Sequence, residues 1–434
     1  MNNRNFEKQK KVLLLSTLLV LSVISITSCS KKLPNPKWSS EITGSSKGES
    51  SSQTNIAIDI YIDATTSMEG FAIGDKTVYG QFIDQLEASA LSAWKSADIK
   101  YFKFGEIIKP VQRPEFLTAK DNLSFYREKG VFTKTYIDSV INKTDNQRLS
   151  VVITDLFQDE GDVNIMVEQI KKQCFNRKVM LGILGIKTEF NGLVFDTPNY
   201  PKGYRLKTST RPFYALIFGN PLKMERLFEV LKTKEFVKEN QILLISDQIM
   251  KSSNITILKT KDSKYVNKKA SAEQIKNSYD FSMKAKGEDA KFNFELNFDK
   301  NTRCIDFNEN TLTAVVYKKS ITDPKVANPD SVLTNDFQIT NIMRVGTKIT
   351  ATLILHNEDP VGNYSYLIYL QPNQINGFIL PQWVRDFSTD NPVPKTPSES
   401  LTYNLEKLVN TLIIAKNAVS PTYVSKSFIN IYKR

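Results

Sequence analysis

NIAIDIYIDATTSMEG, residues 55–70, couples an apolar run to a loop of hydroxyl side chains, with Asp63 at the junction. Near-continuous hydrophobicity from Asn55 to Ile62 fits a strand buried on both faces, as at the centre of a parallel sheet. The segment that follows places Phe82, Leu86, Ala90 and Trp94 on one helical stripe. Residues 99–104 then read as strand, 136–141 as helix, 149–154 as strand, 163–174 as helix and 179–186 as strand. Residues 213–218 read as strand, 224–231 as helix and 242–245 as strand. This alternation predicts a doubly wound α/β domain over residues 55–250. Ligands of such domains sit beyond the carboxyl ends of central strands, where the loop at 63–67 falls.

Three stretches carry oxygen donors. The first is Asp63-Ala64-Thr65-Thr66-Ser67, followed by Met68 and Gly70. The second is the apolar run 149–153 ending in Thr154-Asp155. The third is Phe132-Thr133-Lys134-Thr135, just ahead of a helix. Together they resemble the von Willebrand factor type A family, which has Asp-x-Ser-x-Ser after its first strand, a later loop threonine, and an Asp after its fourth strand. The resemblance covers somewhat under half of the chain. It implies a metal-ion-dependent adhesion site in which Asp63, Thr65, Ser67, Thr133 and Asp155 hold Mg²⁺ (or Mn²⁺ or Ca²⁺), with Thr135 as the alternative loop donor. Thr65 stands where the family usually has Ser and keeps the hydroxyl. Leu156 stands where Gly commonly follows the Asp, which bears on the local turn.

Mg²⁺ takes about six hard oxygens and keeps several waters. Hydroxyls can bind it directly while Asp63 and Asp155 hold its waters. An ion so weakly neutralised seeks one more anionic oxygen, so the resemblance implies a protein partner with an exposed Glu or Asp. Asp, Thr and Ser at a strand end are also ordinary turn and capping residues. Asp59, inside the first strand, suits a buried, hydrogen-bonded structural role.

The enzymatic alternative is a metal-dependent envelope hydrolase acting on phosphoesters. A phosphohydrolase of the haloacid dehalogenase type needs Asp-x-Asp after a strand, but Thr65 follows Asp63 and Tyr61 follows Asp59 at that spacing. No Gly-rich phosphate loop occurs. The single histidine, His356, lies in an alternating strand pattern and excludes any multi-histidine site.

The amino terminus orders a basic segment (Arg4 to Lys11), an apolar run (Val12 to Ile26) and Ile26-Thr27-Ser28-Cys29. A charged start, a short apolar core and small residues make a secretion signal over residues 1–28. The last four residues resemble the lipobox of bacterial lipoproteins, with Ile26 where Leu is usual. That resemblance implies acylation of Cys29 and a chain lipid-anchored in the cell envelope outside the cytoplasm, in the outer membrane and periplasm or at the cell surface. Residues 29–54, rich in Ser, Lys, Gly and Pro, read as a flexible tether.

Residues 1–28 hold four cationic side chains against Glu7, so their removal takes the net charge from +12 to +9. The lysines are spread along the chain and suit an anionic envelope surface. No basic-aromatic motif accompanies them, which argues against nucleic acid. Three cysteines, Cys29, Cys174 and Cys304, make no disulfide framework, although one Cys174–Cys304 bridge stays open.

Beyond about residue 251 the pattern changes to period two. Phe292, Phe294, Leu296 and Phe298 alternate with polar residues, as do Ile349, Ala351, Leu353 and Leu355. Residues 251–434 therefore read as a β-rich, mostly antiparallel, sandwich-like domain. Leu401, Leu405, Leu408, Leu412 and Ile413 form a terminal helical stripe whose apolar face is expected on the sandwich. The segment 378–383 (FILPQW) reads either as a surface loop or as core filling.

Overall fold

The computed structural model describes residue 33, residues 37–38 and most of 55–434; outside it lie 1–32, 34–36, 39–54 and shorter stretches such as 158–162, 196–202, 248–253, 270–277 and 392–400. The signal, Cys29, Cys304 and Phe298 thus lie outside the described residues. Among the described residues strands outweigh helices, 44% to 26%.

The first sheet has seven strands: β1 (Asn55–Asp63), β2 (Ser96–Phe104), β3 (Ile108–Val111), β4 (Leu149–Thr154), β5 (Met180–Val194), β6 (Tyr204–Gly219) and β7 (Ile242–Ile245), in the order β3-β2-β1-β4-β6-β5-β7. Around it lie helices α1 (Val78–Ala93), α2 (Arg113–Leu117), α3 (Ile137–Ile141), α4 (Val163–Gln173) and α5 (Pro221–Leu231). Helix α1 starts where the Thr77 hydroxyl accepts from the Gly80 amide, and it buries Tyr79, Phe82, Ile83, Leu86 and Ala90.

The expectation of a doubly wound α/β fold is overturned by strand direction. Only the β2–β1 and β1–β4 pairings of this sheet are parallel; β6 runs antiparallel to β4, β5 antiparallel to β6, and β7 antiparallel to β5. Strands β5 and β6 are 15 and 16 residues long and pair along their length. Where two strands follow each other as a hairpin, no crossover helix separates them and they must run antiparallel. Only the inner halves of β5 and β6 are continuously apolar, so hydrophobicity marked two short strands and concealed the long ribbon.

The second half builds two sheets around another core. One orders β13 (Val332–Thr334), β12 (Leu312–Ile321), β16 (Gly362–Pro372), β19 (Ser425–Lys433), β10 (Ser278–Met283) and β9 (Val266–Lys269). The other orders β14 (Phe337–Val345), β15 (Lys348–Leu355), β11 (Ala290–Asn297) and β8 (Asn254–Lys259). Phe292, Phe294, Leu296, Ile349, Ala351, Leu353 and Leu355 all point into that core. Within the larger sheet β10 and β19 are parallel. A two-strand ladder, β17 (Ser388–Thr389) with β18 (Thr402–Tyr403), lies between α6 (Gln382–Asp386) and α7 (Leu405–Val419).

Helix α7 does not pack on these sheets. Its Leu405, Leu408, Val409, Leu412 and Ile413 join the core of the seven-stranded sheet, as do Trp383, Val384 and Phe387. Trp383 fills space left by Gly185 on β5, where an added Cβ would meet its ring at 2.5 Å. The segment 378–383 is therefore core filling at Trp383. The terminal helix returns to the first core because burying an apolar stripe needs an uncovered apolar surface, wherever the chain supplies one.

Cys174 is a free, buried thiol beside Thr144 Oγ1 at 3.4 Å, so the Cys174–Cys304 bridge is not formed. His356 stands just past β15, exposed, with Nδ1 3.0 Å from Asp289. Asp59 accepts from Arg148 at 2.8 Å, and Arg148 also reaches Asp98, tying β1, β2 and the entry to β4.

Candidate metal centre

Parallel pairing of β2, β1 and β4 brings their carboxyl ends side by side. Asp63 closes β1. Thr154 closes β4, and Asp155 follows it. The loop holding Thr135 is fastened to the end of β2 by the Tyr136 amide donating to Gly105 O at 3.2 Å. Gly105 is needed for that approach, since a Cβ there would come within 3.0 Å of Lys134 O and the Phe132 ring.

These ends deliver six oxygen-bearing side chains to one place. Asp63 Oδ1 accepts from the Thr65 hydroxyl at 2.7 Å and the Thr65 amide at 3.1 Å. Asp63 Oδ2 accepts from the Thr154 hydroxyl at 3.0 Å. Thr65 Oγ1 lies 2.9 Å from Thr135 Oγ1 and 3.3 Å from Ser67 Oγ, and Ser67 donates to Asp155 Oδ1 at 3.2 Å. Thr135 also reaches the Asp63 carboxylate at 3.3 Å. None of Asp63, Thr65, Ser67, Thr135 and Asp155 is more than 3% exposed.

Thr133 stands outside the cluster and corrects the expectation placed on it. It is exposed and donates to Glu106. Thr135, the alternative, takes the inward position because the chain bends over residues 132–134, so the two threonines do not share a face, and the Tyr136 amide bound to Gly105 O holds Thr135 turned in.

Burial, and then the nearby Asp155 carboxylate, push the Asp63 carboxyl up to about 7; the hydrogen bonds from Thr65 and Thr154 pull the other way. Two carboxylates enclosed this closely repel each other, and a cation between them would relieve that. All the candidate donors are hard oxygens, which suits Mg²⁺, Mn²⁺ or Ca²⁺ and not a soft metal. Among the described residues no group of three or more His, Cys, Asp and Glu side chains is placed to hold a metal ion, so this candidate rests on hydroxyls beside two carboxylates.

One member has no local motif. Arg211 on β6 is fully buried, with Nη2 3.6 Å from Asp155 Oδ2 and its guanidinium over the Phe190 ring at 5.7 Å. The antiparallel direction of β6 puts it there. Thr154 at the end of β4 pairs with Tyr214, so the part of β6 before Tyr214 runs on past the end of β4 and over the loops. A strand parallel to β4 would have begun at the opposite edge. A charged residue within the apolar surroundings of TSTRPFYALIFG is the one sequence signal that pointed to it.

Two backbone features shape the loops. Leu156 has φ +64°, the left-handed region that favours glycine, and its amide donates to Thr154 Oγ1 at 3.1 Å. The turn that Gly serves in similar motifs is therefore made here by Leu. Gly70 packs face to face with Gly192 on β5; a Cβ on Gly70 would run into the Phe190 ring and come within 2.9 Å of Gly192 Cα. Gly70→Ala is expected to destabilise the fold by about 1–3 kcal/mol by overpacking. Urea unfolding measures this, and a midpoint equal to the parent's would refute the close approach.

Compared with family models, with curated proteins and with solved structures, the chain finds no match. The site is therefore read from its own geometry.

Proposed function

We propose that the chain is a membrane-anchored binding module of the cell envelope, held by a lipid on Cys29, that engages an acidic protein partner through a divalent cation. The residues that would hold the ion, Mg²⁺ first among the hard cations, are Asp63, Thr65, Ser67, Thr135 and Asp155. The observation that carries this is the convergence of three hydroxyls and two carboxylates at the ends of three parallel strands, with the Asp63 carboxyl driven up to about 7 by burial and then by the Asp155 carboxylate.

Charge supports an acidic partner. Among the described residues, with both carboxylates ionised, Arg211 leaves the cluster one negative charge in excess. A divalent ion turns that into one positive charge in excess, in a closed space where unbalanced charge is costly. When bound, the ion would supply an electrophilic centre for one more anionic oxygen, and a partner Glu or Asp provides it. The five side chains are covered, so engagement needs the loops at 63–67 and 132–136 to part.

Calorimetry with Mg²⁺ or Mn²⁺ on the full chain tests the ion. Thr135→Ala and Asp63→Ala with Ser67→Ala are expected to weaken binding by about tenfold or more, each 1.4 kcal/mol being a factor of ten. Thr133→Ala should leave it unchanged. Equal losses from Thr133→Ala and Thr135→Ala would remove the assignment of the loop donor, and no heat in the parent would remove the ion. Capture of envelope proteins with and without a chelator tests the partner. A phosphoester panel tests the hydrolase alternative, whose signature is metal-dependent turnover lost in Asp63→Ala.

A further inference from the structure

Three residues that follow Cys29 in sequence, Leu33, Lys37 and Trp38, are docked on the second half of the chain. Trp38 Nε1 donates to Ser365 Oγ on β16 at 2.8 Å, and its ring lies 6.2 Å from the Phe428 ring on β19. Lys319 of β12 sits over the same ring at 5.2 Å and donates to Lys37 O at 2.8 Å. Further back, Asn363 Nδ2 donates to Leu33 O at 2.7 Å. The contacts fall on three adjacent strands of the six-stranded sheet.

The face they cover is the one turned from the core. Along β16, Tyr364, Tyr366 and Ile368 point into the core, so Asn363 and Ser365 point away from it. On that outer face the Trp38 N–H begins a polar ladder across the strands. Ser365 donates to Asn430 Oδ1 at 2.6 Å, and Asn430 Nδ2 donates to Asp280 Oδ1 at 2.6 Å. Ser365 is 1% and Asp280 3% exposed. An indole N–H that completes a covered ladder is held by more than ring contact.

Length turns docking into orientation. Cys29 is four residues from Leu33, a span of at most about 14 Å for extended chain. A free tether from Cys29 to Asn55 would instead wander over roughly 28 Å. We propose that Leu33, Lys37 and Trp38 form a strap that holds the outer face of the six-stranded sheet, at its Ile321–Gly362 end, against the lipid surface carrying Cys29. This rests on the lipid anchor proposed above. Exposed Lys37 places positive charge where anionic headgroups lie. The contacts of Leu33, Lys37 and Trp38 pin three positions within the stretch 29–54 that is expected to be a flexible tether.

The test uses the full chain, purified with its lipid and placed in phosphatidylethanolamine–phosphatidylglycerol vesicles containing a lipid photoreactive at the headgroup. Cross-linked peptides should concentrate on residues 317–325 and 362–366. In Trp38→Ala they should fall several-fold there and spread over the rest of the chain, while the thermal midpoint stays near the parent's. Trypsin should cut after Lys37 slowly in the parent and several-fold faster in Trp38→Ala, with Trp38→Phe between them. An acylated Cys29 with cross-links spread evenly over the parent overturns the strap and leaves the anchor standing. An amino-terminal peptide without acyl chains overturns both.

Discussion

Asp155→Ala is expected to destabilise the metal-free protein by about 3–5 kcal/mol, the cost of removing one partner of a buried ion pair. Arg211 is fully enclosed, and Asp155 is the carboxylate that faces its Nη2. Among the described residues its loss leaves Asp63 as the remaining carboxylate of the cluster, on the far side of the hydroxyls. Arg211→Met should cost much less, since it removes the charge and keeps an apolar chain against Phe190. The double variant should recover most of what Asp155→Ala loses. Urea unfolding of the four proteins in chelator reads this directly. Strictly additive effects would show that the two side chains do not interact. Cation titration of Arg211→Met adds an independent readout. The cluster becomes one charge more negative, so affinity for Mg²⁺ should rise by about an order of magnitude or more. An unchanged or weaker affinity would count against an ion held at this position.

The metal-free protein should also lose stability as pH rises from 4 to 7, opposite to most carboxylates. Asp63 is raised from 3.8 to about 7 by burial and by Asp155. Below pH 4 both folded and unfolded chains hold the proton, and the group contributes nothing. Between 4 and 7 the unfolded chain releases a proton that the folded chain keeps, so stability falls; above 7 both are ionised and the loss is complete. A shift of this size corresponds to about 4 kcal/mol. Asp63→Asn should flatten that part of the profile, because the amide has no proton to lose. Saturating Mg²⁺ should flatten it in the parent, since an ion between the carboxylates favours their charged form. A slope in Asp63→Asn equal to the parent's would place the pH dependence elsewhere.

Local elements were legible where hydrophobic period and length agree. Residues 149–154 and 242–245 are strands with those bounds, and 163–173 is helix, because each buries a run or stripe that one element can hide. The grouping of Asp63, Thr65, Ser67 and Asp155 was legible too, since a strand that ends on a carboxylate aims the next residues into the same loop cluster as its parallel neighbour. Thr133 and Thr135 were not separable, because both follow the same loop pattern and only the fastening of Tyr136 to Gly105 turns one inward.

Residue order alone carries the chemistry: a basic and then apolar stretch running up to Cys29, hydroxyls beside carboxylates at strand ends, and period-two segments in the second half. Tertiary structure alone decided the direction of β6, the arrival of Arg211 at Asp155, the return of α7 to the first core and the docking of Trp38 on β16. The physical reason is range. Periodicity and turn residues act over a few positions, whereas strand direction and burial of a charge are settled by partners tens to hundreds of residues away, in contacts that no local pattern encodes.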